Sequence, residues 1–128
     1  MKQQVSILTD TGVVTDDAFE SVKDADILVI EANHDVDVLR VCRRPYPVIR
    51  RIAGEEGHLS NDAAAACIQD CIDYDPKTRQ VLLAHLSHDN NAPDLAKISV
   101  INSVDMGDAN IRIEVIERDK QSPVYIVE

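Results

Sequence analysis

The sequence predicts an α/β fold, in which a mostly parallel sheet is covered by helices. Apolar strands alternate with helical segments along the chain, and the strand "DILVIEA" is apolar almost throughout, which is typical of a strand covered on both faces. Three apolar strands each end in polar residues, where open α/β sheets place their binding sites. With 128 residues and 45% hydrophobic content, the chain is expected to form a single domain over residues 1–128.

Short sequence signals predict the individual elements. The predicted strands lie in "VSILTDTG", "DILVIEA", "TRQVLLAHLS", "NIRIEVIE" and "PVYIVE". Thr15 is the expected N-cap of a helix in "AFESVKDA", and Ser60 or Asn61 that of a helix in "DAAAACIQDCIDYD". Two short helices are predicted in "HDVDVLRVC" and in "VIRRIAG". The prolines of "RRPYP" separate them, and the second helix ends at Gly54. Pro93 is expected to start the last helix, through "DLAKISVINSV".

The charge of the chain limits its functions. A net charge of −10 argues against a protein whose whole surface attracts nucleic acid, because phosphate binding depends mainly on Lys and Arg. The stretch "RVCRRPYPVIRR" is a local exception, and its arginines are either phosphate contacts or a solvated face paired with nearby carboxylates. These arginines are Arg40, Arg43, Arg44, Arg50 and Arg51, and the carboxylates are Asp35, Asp37, Glu55 and Glu56.

The cysteines and the lack of long apolar runs predict a cytoplasmic protein. Cys42, Cys67 and Cys71 form no CxxC motif and leave an odd count, as expected of reduced thiols. Cys67 and Cys71 stand four residues apart in a helical stretch and are expected to pack as small apolar residues. No signal peptide follows Met1, and no apolar run approaches the roughly 20 residues that a membrane helix needs.

Two residues at strand ends are candidate metal ligands. Asp10 in "TDTG" and His85 in "LAHLS" carry side chains that bind zinc, manganese or iron, and a carboxylate after a buried strand needs a cation or amide groups to satisfy it. The alternative is that Asp10 bonds to its own backbone in a turn and that His85 is a satisfied strand-end histidine. Two ligands also fall short of the three or four that a transition-metal site requires.

His58 is a candidate general acid or phosphate ligand. It lies in "GHLSN", just before a helix N-terminus, which attracts anions. The alternative is an exposed loop histidine. Beside it, Ser60 and Asn61, together with Arg43 and Arg44 of the basic stretch, are candidate substrate-binding residues.

Four stretches of the sequence resemble a known family in their order and spacing. "TDTG", "LVIEANHD", "RRPYPVIRRIAGEEGHLSND" and "LAHLSHDNNAP" resemble the C-terminal half of metallo-β-lactamase-fold hydrolases of the WalJ/YycJ type. These hydrolases are bacterial relatives of the metal-dependent nucleases that include the tRNA 3′-processing enzymes. The resemblance covers residues from about 5 to the end of the chain.

The resemblance implies roles for individual residues. Asp10 matches the carboxylate that bridges the two metals of the family's site, His85 matches its last histidine ligand, and His58 matches a histidine that assists proton transfer to the leaving group. The family's residues that surround and orient the ligands are matched by Glu31, Asn33 and His34. The implied cofactor is zinc or manganese.

The resemblance also implies that the fold and the metal site are incomplete. The family packs two β/α halves face to face in an αββα sandwich, and the chain corresponds to one β/α layer pair of it. The family motif His-x-His-x-Asp-His and a further histidine ligand precede the segment that matches "TDTG", and this sequence contains neither. We therefore expect an incomplete ligand set, no activity of the chain alone, and an exposed apolar sheet face that leads to self-association or to binding of an N-terminal half.

Three functional hypotheses follow. The first is the C-terminal part of a metal-dependent phosphodiesterase of the nuclease kind, acting on nucleic acid or a smaller phosphodiester. The second is a non-catalytic half-domain that serves in assembly or binding. The third is a truncated, inactive product.

Overall fold

The computed structural model describes residues 3–117, which form four strands and five helices. The elements are β1 (Val5–Leu8), α1 (Asp16–Val22), β2 (Ile27–Glu31), α2 (Val36–Arg40), α3 (Tyr46–Ala53), α4 (Asn61–Tyr74), β3 (Arg79–Ala84), α5 (Pro93–Ser103) and β4 (Ile111–Val115). The predicted α/β class is confirmed. The predicted strand "PVYIVE" lies outside the described residues.

The four strands form one parallel sheet in the order β1-β2-β3-β4. Each pairs in register with the next, as in Ile7 with Val29 and Val29 with Leu82. Because all strands run in the same direction, their carboxyl ends lie along one edge of the sheet. The polar residues that follow β1, β2 and β3 therefore meet at this edge.

One face of the sheet carries the main hydrophobic core. Alternate strand residues, among them Leu28, Ile30, Val81 and Leu83, pack with the buried side of α4 and with residues of α1 and α5. Burial at this density is what stabilises a domain of this size, at about 25 cal/mol for each Å² of apolar surface removed from water. The core contributions of the helices are Val22 from α1, Ala64, Ala65, Cys67, Ile68, Cys71 and Ile72 from α4, and Ala96 and Val100 from α5.

The opposite face of the sheet, which we call the open face, has no share in this core. Its apolar residues are Val5, Ile7, Ile27, Val29 and Leu82. None of them belongs to the core cluster formed by the described residues. Val5 and Ile7 on the edge strand are 59% and 68% exposed, whereas Ile27 and Leu82 on the inner strands are buried. One helical layer on one face is the arrangement expected for half of an αββα sandwich.

Capping and proline positions explain where the helices begin. The hydroxyl oxygens of Thr15 and Ser60 accept hydrogen bonds from the amides of Ala18 and Ala63, so both residues cap their helices as predicted. Pro93 begins α5, as predicted. The short helices differ from expectation in their bounds, because α2 already ends at Arg40 and Pro47 lies in the first turn of α3 instead of before it.

A buried guanidinium joins the C-terminal ends of α1 and α4. Arg79, at the start of β3, is almost fully buried and donates hydrogen bonds to the carbonyl oxygens of Lys23, Ala25 and Asp75. These carbonyls follow α1 and α4, whose last carbonyl groups have no partner within a helix. Arg79 therefore satisfies helix ends that the sequence pattern left unexplained.

The cysteine prediction can be compared with the structure. Cys67 and Cys71 are buried in α4, as predicted, and all three cysteines are free. A hydrogen bond to Cys71, together with burial, raises the pKa of the Cys67 thiol. Within residues 3–117, no helix is both long and apolar enough to cross a membrane.

Candidate metal centre

Three strand ends and one loop bring four ligating side chains together. Asp10 follows β1, Glu31 ends β2, His85 follows β3, and His58 lies in the loop between α3 and α4. Each offers a nitrogen or oxygen atom, and these atoms all lie within 4.8 Å of one another. We call these four residues the acid–histidine cluster.

Glu31 lies at the centre of the acid–histidine cluster. Its side chain is fully buried, and Oε1 accepts a hydrogen bond from the amide of Asp10 at 2.6 Å. Oε2 lies 2.6 Å from Nδ1 of His58 and 2.9 Å from Nδ1 of His85. A buried carboxylate is costly unless it is hydrogen-bonded or neutralised, and the hydrogen bonds with the amide of Asp10 and the imidazole of His85 compensate for its burial.

The backbone is strained at two of the four residues. Asp10 has a φ of 60° and His85 a φ of 58°, and among the described residues only these two adopt a positive φ without being glycine. The left-handed region is uncommon for side chains other than glycine, and such strain concentrates at functional sites. The turn conformation directs both side chains towards the same point, since the Nδ1 atom of His85 lies 3.7 Å from Oδ1 of Asp10.

The loops that carry Asp10 and His58 are in close contact. The amide of Gly12 donates a hydrogen bond to the carbonyl oxygen of Glu55 at 3.0 Å. A Cβ atom at Gly12 would lie 1.7 Å from the carbonyl oxygen of Gly54, so only glycine allows this approach. The amide of His58 in turn donates to the carbonyl oxygen of Ile52, which connects the loop to the end of α3.

Asn33 and His34 lie beside the acid–histidine cluster. The amide side chain of Asn33 donates to the carbonyl oxygen of His85 at 3.0 Å, so it helps to hold the strained turn. Nδ1 of His34 lies 3.2 Å from Oδ1 of Asn33, and His34 is buried. Burial is the main cause that lowers the pKa of His34 below its usual range, and the nearby His58 imidazole is the second.

Ser60 and Asn61 are used inside the fold. Ser60 caps α4 through its hydroxyl oxygen, and its backbone pairs with that of His34. Asn61 is buried, and its side chain exchanges two hydrogen bonds with that of Asn91, at 2.8 and 3.1 Å. Asn91 also donates to the carbonyl oxygen of Ala32. Asn91 thus fastens the loop after β3 to the start of α4 and to the residue after β2, a role that the sequence pattern did not indicate.

Arg43 and Arg44 are exposed and lie between α2 and α3. Arg44 pairs with Asp89 at 2.9 Å, in the loop after β3, and Arg40 lies 3.9 Å from Asp37. The alternative of a solvated face paired with carboxylates therefore holds for Arg40 and Arg44. Of the four carboxylates named as partners, only Asp37 lies within ion-pair distance of one of these arginines among the described residues.

The donor atoms of the cluster are compatible with a metal ion. Nδ1 of His58 is buried and has no hydrogen-bond partner of acceptable geometry in the described part of the chain, although Glu31 is 2.6 Å away. The nitrogen is close to the carboxylate, but the two are not aligned for a hydrogen bond. A cation bound between them would explain this geometry. Two imidazoles and two carboxylates also form a donor set typical of zinc or manganese.

A cavity of about 690 Å³ opens beside the cluster. Asp10 and His85 line it together with Thr9, Ser87 and His88, and its remaining wall is largely apolar. Exposed His88 faces solvent, as its position between Ser87 and Asp89 predicted. A cavity of this size is large enough for a small organic ligand or one nucleotide.

The structure brings Asp10, His58 and His85 together, as the sequence prediction of a common site requires. Glu31 was expected only to support the ligands, but its oxygen atoms lie as close to the imidazoles as those of Asp10 or closer. The signal for Glu31 was present, because it is the one charged residue within the otherwise apolar strand "ILVIE".

No family model matches the chain. A protein named Exodeoxyribonuclease YycJ from Bacillus anthracis is 36% identical over 129 residues, which cover 97% of this chain and 47% of that protein. Exodeoxyribonuclease WalJ from Streptococcus pneumoniae serotype 2 is 38% identical over 109 residues, which cover 84% of this chain and 39% of that protein.

These relatives confirm the predicted resemblance. The chain is homologous to proteins that are named as exodeoxyribonucleases. These relatives are of the WalJ/YycJ type. The chain spans less than half the length of the curated relatives it matches.

Proposed function

We propose that this chain is the C-terminal part of a metal-dependent phosphodiesterase that acts on DNA. One observation carries the proposal: Asp10, Glu31, His58 and His85 converge within 4.8 Å at the sheet edge of a chain homologous to proteins named exodeoxyribonucleases. The names of the relatives support a nuclease, and the donor set supports a metal.

Asp10 and His85 are the proposed ligands, with zinc or manganese as the metal. Their strained backbones hold both side chains at the carboxyl edge without the need for further chain movement. When bound, the metal supplies an activated water and stabilises negative charge on the phosphoryl group. The close contacts of Glu31 make it a candidate third ligand.

The proposed role of His58 is to give a proton to the leaving oxygen. Glu31 is 2.6 Å from Nδ1 of His58, so its carboxylate limits the positions that the imidazole ring can take. Asn33 and His34 support the proposed ligands without binding the metal. Asn33 hydrogen-bonds to the backbone of His85, and His34 hydrogen-bonds to Asn33.

The proposed substrate is a DNA strand with its terminal nucleotide in the cavity beside the cluster. Ser87 and His88 supply polar groups there, and Asp10 and His85 lie on the same cavity wall. Arg43, which forms no ion pair within residues 3–117, is the proposed phosphate contact outside the cavity, and Arg44 joins it by exchanging its exposed ion pair with Asp89 for a phosphate. Ser60 and Asn61 contribute indirectly, because their side chains are engaged within the fold.

A second polypeptide is proposed to complete both the fold and the site. The exposed Val5 and Ile7 show that the open face offers apolar surface, and the relatives contain a further half that this chain does not match. The proposed partner is the N-terminal half of the sandwich, with a second copy of the chain as the other arrangement to be distinguished by experiment.

Complementation tests the proposed function. The chain is combined with the part of the Bacillus anthracis relative that it does not match, and release of nucleotides from labelled DNA is measured with Mn²⁺ or Zn²⁺ and with EDTA. We expect metal-dependent cleavage that falls at least about 100-fold in Asp10→Asn and in His85→Ala. Asp94→Asn, an exposed carboxylate in the first turn of α5, is the matched control.

Two results would contradict the proposal. The first is a stable complex that cleaves no DNA with either metal, which favours the non-catalytic half-domain. The second is cleavage that survives both ligand substitutions.

A further inference from the structure

The basic stretch "RVCRRPYPVIRR" combines its arginines with an exposed aromatic residue. Five arginines and no carboxylate lie in "RVCRRPYPVIRR", in a chain with 23 acidic residues. Tyr46, at the start of α3, is 70% exposed, and the guanidinium of Arg50 lies 5.8 Å from the centroid of its ring. A guanidinium beside an aromatic ring forms an attractive cation–π contact, which places positive charge and an exposed ring at the same site.

The arginines of this stretch differ in how they are paired. Arg40 and Arg44 have carboxylates at 3.9 and 2.9 Å. Arg43, Arg50 and Arg51 are exposed and form no ion pair with any residue in the range 3–117. These three arginines and Tyr46 form what we call the α3 surface.

The α3 surface is linked directly to the acid–histidine cluster. The amide of His58 is hydrogen-bonded to Ile52 in the last turn of α3, and Gly12, two residues from Asp10, is bonded to Glu55 just beyond the helix. At the other end, the Arg44–Asp89 pair joins the stretch to the loop that follows His85. With eight residues, α3 is about 12 Å long.

We propose that the α3 surface binds an unpaired nucleic-acid strand that leads into the acid–histidine cluster. Tyr46 stacks on a base, while Arg43, Arg50 and Arg51 contact phosphates. An aromatic platform beside arginines is the combination that single strands use, because every base has a flat face and every linkage a negative charge. A paired duplex would hide its base faces from Tyr46, so the surface favours a single strand or a frayed end. This inference deepens the proposed nuclease function and rests on it for the choice of ligand.

Binding without cleavage tests the inference. The 128-residue chain is titrated into fluorescein-labelled (dT)12 in EDTA at low salt, and fluorescence anisotropy is measured. We expect Tyr46→Ala to weaken binding about 10-fold and Tyr46→Phe to change it less than about 2-fold, since stacking needs the ring and not the hydroxyl. Circular dichroism checks that each variant is folded.

The charge contribution is tested by the salt dependence. Arg43→Gln and Arg51→Gln should each lower the slope of log K against log salt by about 0.7, the value for one phosphate contact on a single strand. Lys97→Gln on α5 removes the same charge outside the α3 surface and should leave binding and slope unchanged.

Several outcomes would overturn the inference. They are unchanged binding in Tyr46→Ala, an equal loss in Lys97→Gln, or tighter binding of a blunt (dA)12·(dT)12 duplex than of the single strand. Because EDTA excludes metal-dependent cleavage, strand binding can be present even where the complementation experiment finds no nuclease, and the two proposals fail separately.

Discussion

At the scale of single residues, Glu31 organises the site. One buried carboxylate contacts the backbone of Asp10 and the imidazoles of His58 and His85, so it connects the three other segments that form the site. The sequence indicated Asp10 and His85 because a polar residue directly after a buried strand is conspicuous. It could not show how close Glu31 lies to them, since that depends on β2 pairing between β1 and β3.

We predict that Glu31→Gln weakens metal binding about 10- to 100-fold, because the amide keeps the shape of the side chain but removes its negative charge. Isothermal titration calorimetry with Mn²⁺ or Zn²⁺ measures the effect. Asp94→Asn on the surface of α5 should bind as tightly as the unchanged chain. Equal affinity in the two variants would show that Glu31 plays no part in the metal site.

His34 makes folding stability depend on pH. Its pKa is lowered in the folded chain, mainly by burial, so below its ordinary value of about 6.5 the unfolded chain binds a proton that the folded chain does not. The free energy of unfolding should therefore fall as the pH is lowered from about 6.5 towards the folded pKa.

The measurement is urea unfolding in EDTA at pH 7.5 and pH 5.5. The loss between these values should be smaller in His34→Gln than in the unchanged chain. Exposed His88 provides the control, because His88→Gln should retain the full loss. An identical pH dependence in His34→Gln and His88→Gln would assign the proton uptake to other groups.

At the scale of elements, loops that contain glycine set the distance between the ligands. The strands and most helices were predicted from periodicity, caps and prolines, as Thr15, Ser60 and Pro93 show. The contact of Gly12 with Gly54 was not, because it joins segments far apart in the chain and leaves no periodic signal. The same holds for Arg79, whose polar head lies buried among the carbonyls of helix ends.

We predict that Gly12→Ala lowers the free energy of unfolding by about 1–3 kcal/mol, because the added methyl group overlaps the Gly54 carbonyl and the loops must separate. Metal affinity should fall as well, since Asp10 and His58 move apart. Chemical unfolding and calorimetry measure the two effects.

Gly54→Ala is the matched control for Gly12→Ala. A Cβ atom at Gly54 would lie 3.2 Å from the carbonyl oxygen of Arg50, and its φ of −79° suits any residue. Its stability should stay within about 1 kcal/mol of the unchanged chain. If Gly54→Ala is as destabilised as Gly12→Ala, the close approach of the two loops does not set the stability.

At the scale of the whole molecule, the sheet has one covered and one open face. The apolar strand "DILVIEA" predicted a strand covered on both faces, but among the described residues the core helices α1, α4 and α5 cover one face only. The resemblance to a two-layered family suggested this, and the exposure of Val5 and Ile7 agrees with it. The open face can be covered by association with another polypeptide, either the missing half or a second copy of the chain.

We predict that Ile7→Lys prevents association of the chain with the missing half, or with itself, because a charge on the open face cannot be buried without a partner. Stability should change by no more than about 0.5 kcal/mol, since Ile7 is 68% exposed. Sedimentation velocity measures the association.

Ile98→Lys provides the comparison, because Ile98 is a similarly exposed isoleucine on α5, in the helical layer on the other side of the sheet. It should associate like the unchanged chain. Loss of association in both variants would point to general charge repulsion and not to the open face.

The four cluster residues come from four separate segments of the chain. Binding of a metal ion at the cluster is therefore coupled to folding of the whole chain. Asp10, Glu31, His58 and His85 meet only when β1, β2 and β3 are paired and the loop before α4 is docked. An unfolded chain offers no such assembly, so an ion held by Asp10, Glu31 and His85 would stabilise the native state by an amount that grows with its concentration, about 1.4 kcal/mol for each tenfold increase above Kd. The melting temperature would then report occupancy directly, and metal supply would set how long the chain survives proteolysis.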